Sequence, residues 1–534
     1  MNRLTKIALS ILSGALLSCA WPEHGFPLLL FVGFIPLLLV ENDLFNKKKE
    51  VNSFSVFWYA AIAFSIWNSF TTFWIYNAAL VGVVAAVIIN TLLTSFAFYL
   101  FHVTHRVLAG KATAYVALIG YWLSYEFLQL NWDLNWPWLN LGNGFASYPS
   151  WIQWYEYTGI FGGSLWVLVV NILLFHFIYQ RFFQKICSRA VGMKLGIAVI
   201  LTVIPIIYSY YIYRGYKEVK SSIDVIVVQP NLDPYSEQYS VDPQMVTAQM
   251  LASAKIKADS LADFIVFPES AIQEHAWEDQ LDSLSSVRQI RAFNKQYPLM
   301  KAVVGMSTYK IFNTGEPLTI SARKFSDADK YYDAYNTALY VANNGSLQKH
   351  HKSKLTPGVE KMPYPRLFKF LEKFALDLGG TVGTLGSDAE QIPFMINDSL
   401  KIAPVICYES VYGEFVNEFV SRGANAIFVI TNDGWWGNTP GHRQHLLFSV
   451  LRAIETRRSV ARSANTGVSC FINQRGDISQ RTDYWVPAAI RSKMNTNSEI
   501  TFYVKHGDYI GRFFLVIAGL MFILTLGIGV FRKT

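Results

Sequence analysis

The sequence predicts a polytopic α-helical membrane protein that carries one α/β-layered domain outside the bilayer. Apolar residues are unevenly placed: residues 1–213 form a series of long apolar runs, 214–509 have ordinary globular composition, and 513–530 run for eighteen residues without a charge. With 52% hydrophobic residues, 15 Trp, 29 Tyr and 38 Phe, the 534-residue chain is also heavier in apolar groups than a soluble protein. Within 214–509, short β-like runs alternate with helix-like stretches of about 10–20 residues, the pattern of an α/β domain. The expected division is 1–213, about seven spans; 214–509, the outer domain; and 510–534, a last span with a short tail.

Candidate spans lie at roughly 6–21, 25–40, 54–76, 78–101, 112–130, 160–180, 195–213 and 511–530. Most reach the roughly 20 residues that cross a hydrocarbon core. The first two are shorter, and a shallow or re-entrant pair is the alternative there. Residues 16–19, LLSC, echo a lipoprotein processing site, but the spans that follow argue against processing at Cys19.

Charge sets the orientation. Arg3, Lys6, Lys47, Lys48, Lys49, Arg106, Lys111, Arg181, Lys185, Arg189, Lys194, Arg532 and Lys533 fall in the tail and alternate loops. The connections at 22–24, around 77 and at 131–159 carry no Lys or Arg. By the positive-inside rule both termini are cytoplasmic, and the seventh span delivers 214–509 to the outer side. The net charge of +8 therefore reflects topology rather than nucleic-acid binding. Asn90, Glu126, Gln129 and Asn171 lie within spans and must face other helices, an interface or a polar cavity. The 131–159 connection, rich in Trp, suits an interfacial belt or a wall for a lipid-facing site.

In the outer domain, IDVIVVQ (223–229), FIVF (264–267), KAVVGMSTY (301–309), TALYVAN (337–343), KIAPVIC (401–407), AIFVITND (426–433) and GVSCFIN (467–473) read as strands. No nucleotide-binding glycine motif is present, and HxxH at 442–445 lacks the partners of a zinc protease site. Cys19, Cys187, Cys407 and Cys470 have no metal-ligand spacing and indicate no disulfide framework. Cys470, inside a strand-like run, is expected in the core.

The domain is organised around KIAPVICYESVYGE, 401–414, where a buried strand ends at Cys407, Tyr408 and Glu409. A strand fixes the sulfur, and the loop after it can offer backbone N–H groups. Two other sites answer to it. Glu269 in FIVFPESA emerges just past a buried run, where partial desolvation favours a proton acceptor; the plain alternative is a helix cap. HHKSKLTPGVE supplies Lys352 and Glu360, although such a stretch by itself reads as a solvated loop. Base, cation and soft nucleophile are the set that acyl transfer at a carbonyl requires.

FPES at 267–270, HKSKL around Lys352 and ICYES at 406–410 resemble the Glu, Lys and Cys motifs of the nitrilase superfamily. With the eight-span frame, the chain is most similar to that superfamily's membrane-embedded branch, the apolipoprotein N-acyltransferases. The resemblance implies an α-β-β-α sandwich in the bacterial inner membrane, facing the periplasm. It implies a phospholipid acyl donor and a diacylglyceryl-cysteine apolipoprotein acceptor, with a Cys407 thioester between them. Carried over by motif, Glu269 is the general base, Lys352 the catalytic lysine and Cys407 the nucleophile. Glu360, Tyr408, Glu409 and Asn336 (in YNTAL) support the active site. No cofactor, metal or nucleic acid is implied, and a monomer is expected. The family commonly reads LVPFGEYVP after the lysine where this chain reads LTPGVEKMP: the proline and the spacing to the glutamate survive, but the aromatic is lost. The rival expectations are a membrane-tethered amidase or nitrilase with water as acceptor, and a non-enzymatic transport or binding protein.

Overall fold

The computed structural model describes residues 1–23, 25–364 and 384–531. It forms two compact units, Met1–Gly215 with His506–Thr534, and Tyr216–Lys505.

The first unit is helical. Each of the eight apolar runs falls on a helical segment: Arg3–Cys19, Pro27–Asn46, Ser55–Thr72, Leu80–Val107, Ala114–Leu128, Tyr155–Ile178, Arg189–Gly215 and Tyr509–Phe531. Among the described residues, five helices are long and apolar enough to cross a membrane: Pro27–Asn46, Leu80–Val107, Tyr155–Phe183, Arg189–Gly215 and Tyr509–Gly529. Arg3–Cys19, Ser55–Thr72 and Ala114–Leu128, of 17, 18 and 15 residues, do not meet that measure. Arg532 and Lys533, two of the basic residues used for orientation, lie outside the described residues.

The polar residues of these helices find their partners within the helical unit. Asn171 donates from Nδ2 to the Leu30 carbonyl at 2.7 Å and accepts from the Phe34 N–H at 2.9 Å. Asn90 Oδ1 accepts from the Tyr125 hydroxyl at 3.1 Å and Gln129 Nε2 at 3.0 Å. Glu126 accepts from Trp122 Nε1 at 3.0 Å and from the Leu141 N–H at 2.8 Å, which ties the Trp-rich connection to its helix. That connection is tucked in: Trp138, Leu141 and Phe145 are buried, and Trp138 packs 4.9 Å from Trp74. Gly142 is required there, since a Cβ would sit 2.0 Å from the Ile160 carbonyl oxygen.

The second unit is a two-sheet sandwich. Its strands are β1 (Ser222–Gln229), β2 (Phe264–Val266), β3 (Ile272–Trp277), β4 (Lys301–Ile311), β5 (Arg323–Lys324), β6 (Tyr331–Val341), β7 (Leu347–His351), β8 (Phe394–Met395), β9 (Lys401–Ile406), β10 (Ala426–Thr431), β11 (Val460–Ala464), β12 (Cys470–Ile472), β13 (Ile478–Ser479) and β14 (Ala488–Asn495). One sheet has the order β14-β1-β2-β4-β6-β5, with β3 on β4 and β7 on β6; the other runs β13-β12-β11-β10-β9-β8. β1, β2 and β4 are parallel, as are β9, β10 and β11.

Period-two patterning builds two cores from one sheet. Val225, Val227, Phe264, Val266 and Val303 pack with Ile406, Phe428 and Ile430 of the facing sheet. Ile226, Val228, Ile265, Ala302 and Val304 join Val246 and Met250 of the helix Pro243–Lys255, and Val287 and Ile290 of the helix Ser285–Asn294. Each fully buried Val, Ile or Phe contributes about 1.5–3 kcal/mol. A surface ion pair such as Arg491–Asp259, whose carboxylate is half-exposed, contributes about 0–1 kcal/mol. The apolar layers therefore hold the sandwich.

Candidate active site

Glu269, Lys352 and Cys407 follow the ends of β2, β7 and β9, and they meet Asn336 from within β6 and Glu360 from the turn beyond Lys352. Glu269 lies just past β2. The Phe267 N–H donates to the Val303 carbonyl at 2.8 Å, and the Gly305 N–H to the Pro268 carbonyl at 3.0 Å, holding the segment against β4. Only glycine fits at 305: a Cβ there would lie 2.5 Å from the Glu269 Cα. Glu269 is 5% exposed. Its Oε1 accepts from Lys352 Nζ at 2.9 Å and Asn336 Nδ2 at 2.8 Å, and its Oε2 from the Asn432 N–H at 2.9 Å.

Lys352 follows β7 directly and is 2% exposed, so the stretch that reads as a solvated loop instead buries its lysine. Its N–H donates to the Asn336 carbonyl on β6 at 2.8 Å, and Nζ reaches Glu360 Oε1 at 2.7 Å as well as Glu269. Burial alone would lower the Lys352 ammonium, but Glu269 and Glu360 outweigh it and hold it well above the usual lysine range. Glu360 is correspondingly held below the ordinary carboxylate range: burial raises it, and Lys352 overrides that. Its Oε2 accepts from the Thr356 N–H at 2.9 Å, which fixes the divergent LTPGVE turn to the site.

Cys407 caps β9 with φ +49°, a left-handed conformation that disfavours a non-glycine residue and turns the chain sharply into the 3-10 helix Cys407–Val411. It is 8% exposed. Burial pushes the thiol well up, Glu269 adds to this, and Lys352 pulls it back down. The resting sulfur is therefore a thiol that needs a proton acceptor. Glu409 braces the turn: Oε2 accepts from the Ile406 N–H and Oε1 from the Ser353 N–H, both at 2.7 Å, joining the lysine strand to the cysteine strand. Tyr408 packs edge-on to Tyr412, centroids 5.3 Å apart. Cys470 is buried on β12, where burial takes its thiol up to about 12.

A second layer behind Cys407 escaped the sequence reading. His445 Nε2 lies 3.0 Å from the Cys407 carbonyl oxygen and 3.1 Å from Ser410 Oγ. Its Nδ1 lies 2.8 Å from Asp433 Oδ1, and Arg462 Nη2 donates to Asp433 Oδ2 at 2.5 Å. All three side chains are fully buried. Burial raises the Asp433 carboxyl, but Arg462 and His445 take it far below the usual range. Donor atoms of Cys407, Asp433 and His445 lie within 4.8 Å of one another, the described residues' one grouping with metal-ligand chemistry. Asp433 and His445 are committed to hydrogen bonds, so the grouping serves as a brace. The available signal was TND at the end of a buried strand, with a histidine one turn into the following helix.

Against families and known proteins, residues 225–491 match the carbon-nitrogen hydrolase family, and 13–173 match the apolipoprotein N-acyltransferase N-terminal domain. An apolipoprotein N-acyltransferase of Chlorobaculum tepidum is 28% identical over 96% of this chain and 95% of its own. One from Geobacter metallireducens is 25% identical over 94% and 91%. Among solved structures, Nit3 of Saccharomyces cerevisiae, of the nitrilase superfamily, covers 52% of this chain and 92% of its own at 17% identity, with a TM-score of 0.36.

Proposed function

Because the chain belongs to the carbon-nitrogen hydrolase family and joins that domain to the N-terminal domain of apolipoprotein N-acyltransferases, we propose that it transfers a fatty acyl chain from a membrane phospholipid to the α-amine of a diacylglyceryl-cysteine apolipoprotein. The observation that carries this reading is the buried Glu269–Lys352–Glu360 cluster beside a strained cysteine, in a chain that also has five helices fit to cross a membrane.

Glu269 takes the Cys407 proton as the sulfur attacks the ester carbonyl. Lys352, kept charged by two carboxylates, stabilises the oxyanion. His445 holds the Cys407 carbonyl on one side, and a trans peptide then turns the following N–H, that of Tyr408, to the other, where it can serve as the second oxyanion donor. Protonation by Glu269 releases the lysophospholipid and leaves a Cys407 thioester. The lipoprotein α-amine, part-neutral near pH 7, attacks the thioester and gives up its proton to Glu269; the C–S bond breaks, and that proton passes to the departing Cys407 sulfur, restoring thiol and carboxylate. Asn336, Glu360, Tyr408 and Glu409 hold these groups in place.

Purified protein incubated with phospholipid should gain the mass of one fatty acyl chain on Cys407, and lose it on addition of a diacylglyceryl lipopeptide that becomes triacylated. No fatty acyl adduct on Cys407 would instead favour a membrane-tethered amidase or nitrilase, and free fatty acid without a triacylated product would make water the acceptor.

The charge pattern supports eight crossings, cytoplasmic termini and a periplasmic 214–509 in an inner membrane. A membrane-impermeant thiol reagent applied to cells should label a cysteine placed at exposed Tyr239 but not one at 47–49. The opposite labelling would reverse the topology. A monomer is sufficient, since Glu269, Lys352 and Cys407 all come from one chain.

A further inference from the structure

The two histidines of the HxxH at 442–445 have separate fates. His445 braces the nucleophile. His442, three residues earlier on the helix Pro440–Thr456, is 1% exposed, and neither ring nitrogen has a hydrogen-bond partner. Its ring stacks on Tyr484 at 4.3 Å and 24°, and the Tyr484 hydroxyl is also buried without a partner. Buried polar atoms left unpaired are costly and rare in native proteins, so three together call for a ligand.

Both residues line a crevice of about 200 Å³, with Asn438, Arg443, Arg481 and Asp483 around it. Thr482, also lining it, is already committed through its hydroxyl to Gln229 Oε1 at 2.8 Å. Among the described residues Arg481 makes no hydrogen bond or ion pair, Arg443 Nη2 donates to Asn438 Oδ1 at 3.4 Å, and a lining of two guanidiniums and one carboxylate has a positive balance. A water occupies about 30 Å³ of liquid, so the space takes a ligand of several heavy atoms. Two guanidiniums exclude a cation, and their charge together with the orphaned imidazole and phenol excludes an apolar occupant. A planar carboxylate is satisfied by one guanidinium, whereas donors from four residues suit a group with oxygens in three dimensions.

We propose that this crevice binds a phosphate-class oxyanion between Arg443 and Arg481, with His442 and Tyr484 as further partners. The phosphodiester of a phospholipid and free phosphate share this chemistry; the phospholipid source rests on the acyl-donor reading above. Binding is coupled to protons. Burial lowers the His442 imidazole to about 4, Arg443, Arg462 and Arg481 act in the same direction, and Asp433 opposes them. An anion offsets the guanidinium field and gives the imidazole an acceptor, so His442 takes up a proton as the ligand enters. Affinity for a ligand of constant charge therefore rises as pH falls toward about 4, the value of the unliganded imidazole.

The test is calorimetric titration of the full-length protein in non-ionic detergent with inorganic phosphate and with dimethyl phosphate, a soluble diester that stays monoanionic. Saturable binding to one site is expected, weakened at least about tenfold in Arg481→Gln and abolished in Arg443→Gln/Arg481→Gln, with thermal unfolding confirming that the variants are folded. Competitive inhibition of acyl transfer by dimethyl phosphate identifies the donor phosphodiester as the natural occupant; binding without competition identifies free phosphate. No binding to the wild type, or equal binding to wild type and the double variant, overturns the site. The titrations need no turnover, so a failure of acyl transfer would strike the catalytic reading and leave this one to be judged on its own result.

Discussion

Cys407→Ser should abolish acyl transfer, by at least about 10⁴-fold, in protein that still folds and inserts. The substitution is nearly isosteric, and serine meets the same left-handed φ of +49° that cysteine already bears, so no new backbone strain arises. The chemistry fails twice. A hydroxyl resists deprotonation far more than a thiol, and the buried site already makes the cysteine proton hard to remove. Any product would be an oxygen ester, a poorer donor to an amine than a thioester. Cys470→Ser is the matched control: it buries a hydroxyl and can cost stability, but the chemistry should persist in whatever fraction folds. Triacylation of a diacylglyceryl lipopeptide, normalised to folded protein, decides it. Near-normal turnover by the Cys407 variant would remove that residue as the nucleophile.

Glu269→Gln should reduce acyl-enzyme formation by about 10²–10⁴-fold, the range expected for loss of a positioned general base. Glutamine keeps the shape but presents an amide to a pocket built from donors: Lys352 Nζ, Asn336 Nδ2 and the Asn432 N–H all point at this carboxylate. One oxygen can still accept, while the new NH₂ faces hydrogens. Lys352 retains Glu360, so the cation stays and the loss falls on proton transfer. Lysophospholipid released in the first turnover, followed by rapid quench, measures this step directly. A burst of normal rate would reduce Glu269 to a structural ligand of Lys352.

Much of this arrangement was legible in the sequence because apolar strands mark themselves. IDVIVVQ, FIVF, KIAPVIC and AIFVIT have almost no polar interruption, and each is a central parallel strand with both faces covered. TALYVAN marks only the second half of β6, whose first half, Tyr331–Asn336, is polar and aromatic. β7, β11 and β14 were not legible. β7 ends in two histidines whose polarity is met by Glu278, Asp388 and Glu409. β11 carries Arg462, buried only because Asp433 meets it, and β14 is an edge strand with Arg491 and Lys493 among its residues. In each case a distant partner makes the polar residue tolerable, and no local pattern reports that partner. The same reason hid the Asp433–His445–Arg462 brace, while motif spacing in FPES, HKSKL and ICYES made the front of the site readable.

The strand that opens the sandwich is covered by the strand that closes it: β1 pairs antiparallel with β14 along its whole length, from Ser222↔Asn495 to Gln229↔Ala488. During synthesis the first-made edge therefore waits for the last-made strand, and the nascent domain carries an open, strongly apolar β1 edge until residue 495 has emerged. The loop that this pairing closes is nearly the whole domain, a slow step by chain-entropy standards. A polypeptide truncated anywhere before β14 would leave that edge permanently bare, marking it for aggregation or proteolysis even with every catalytic side chain present.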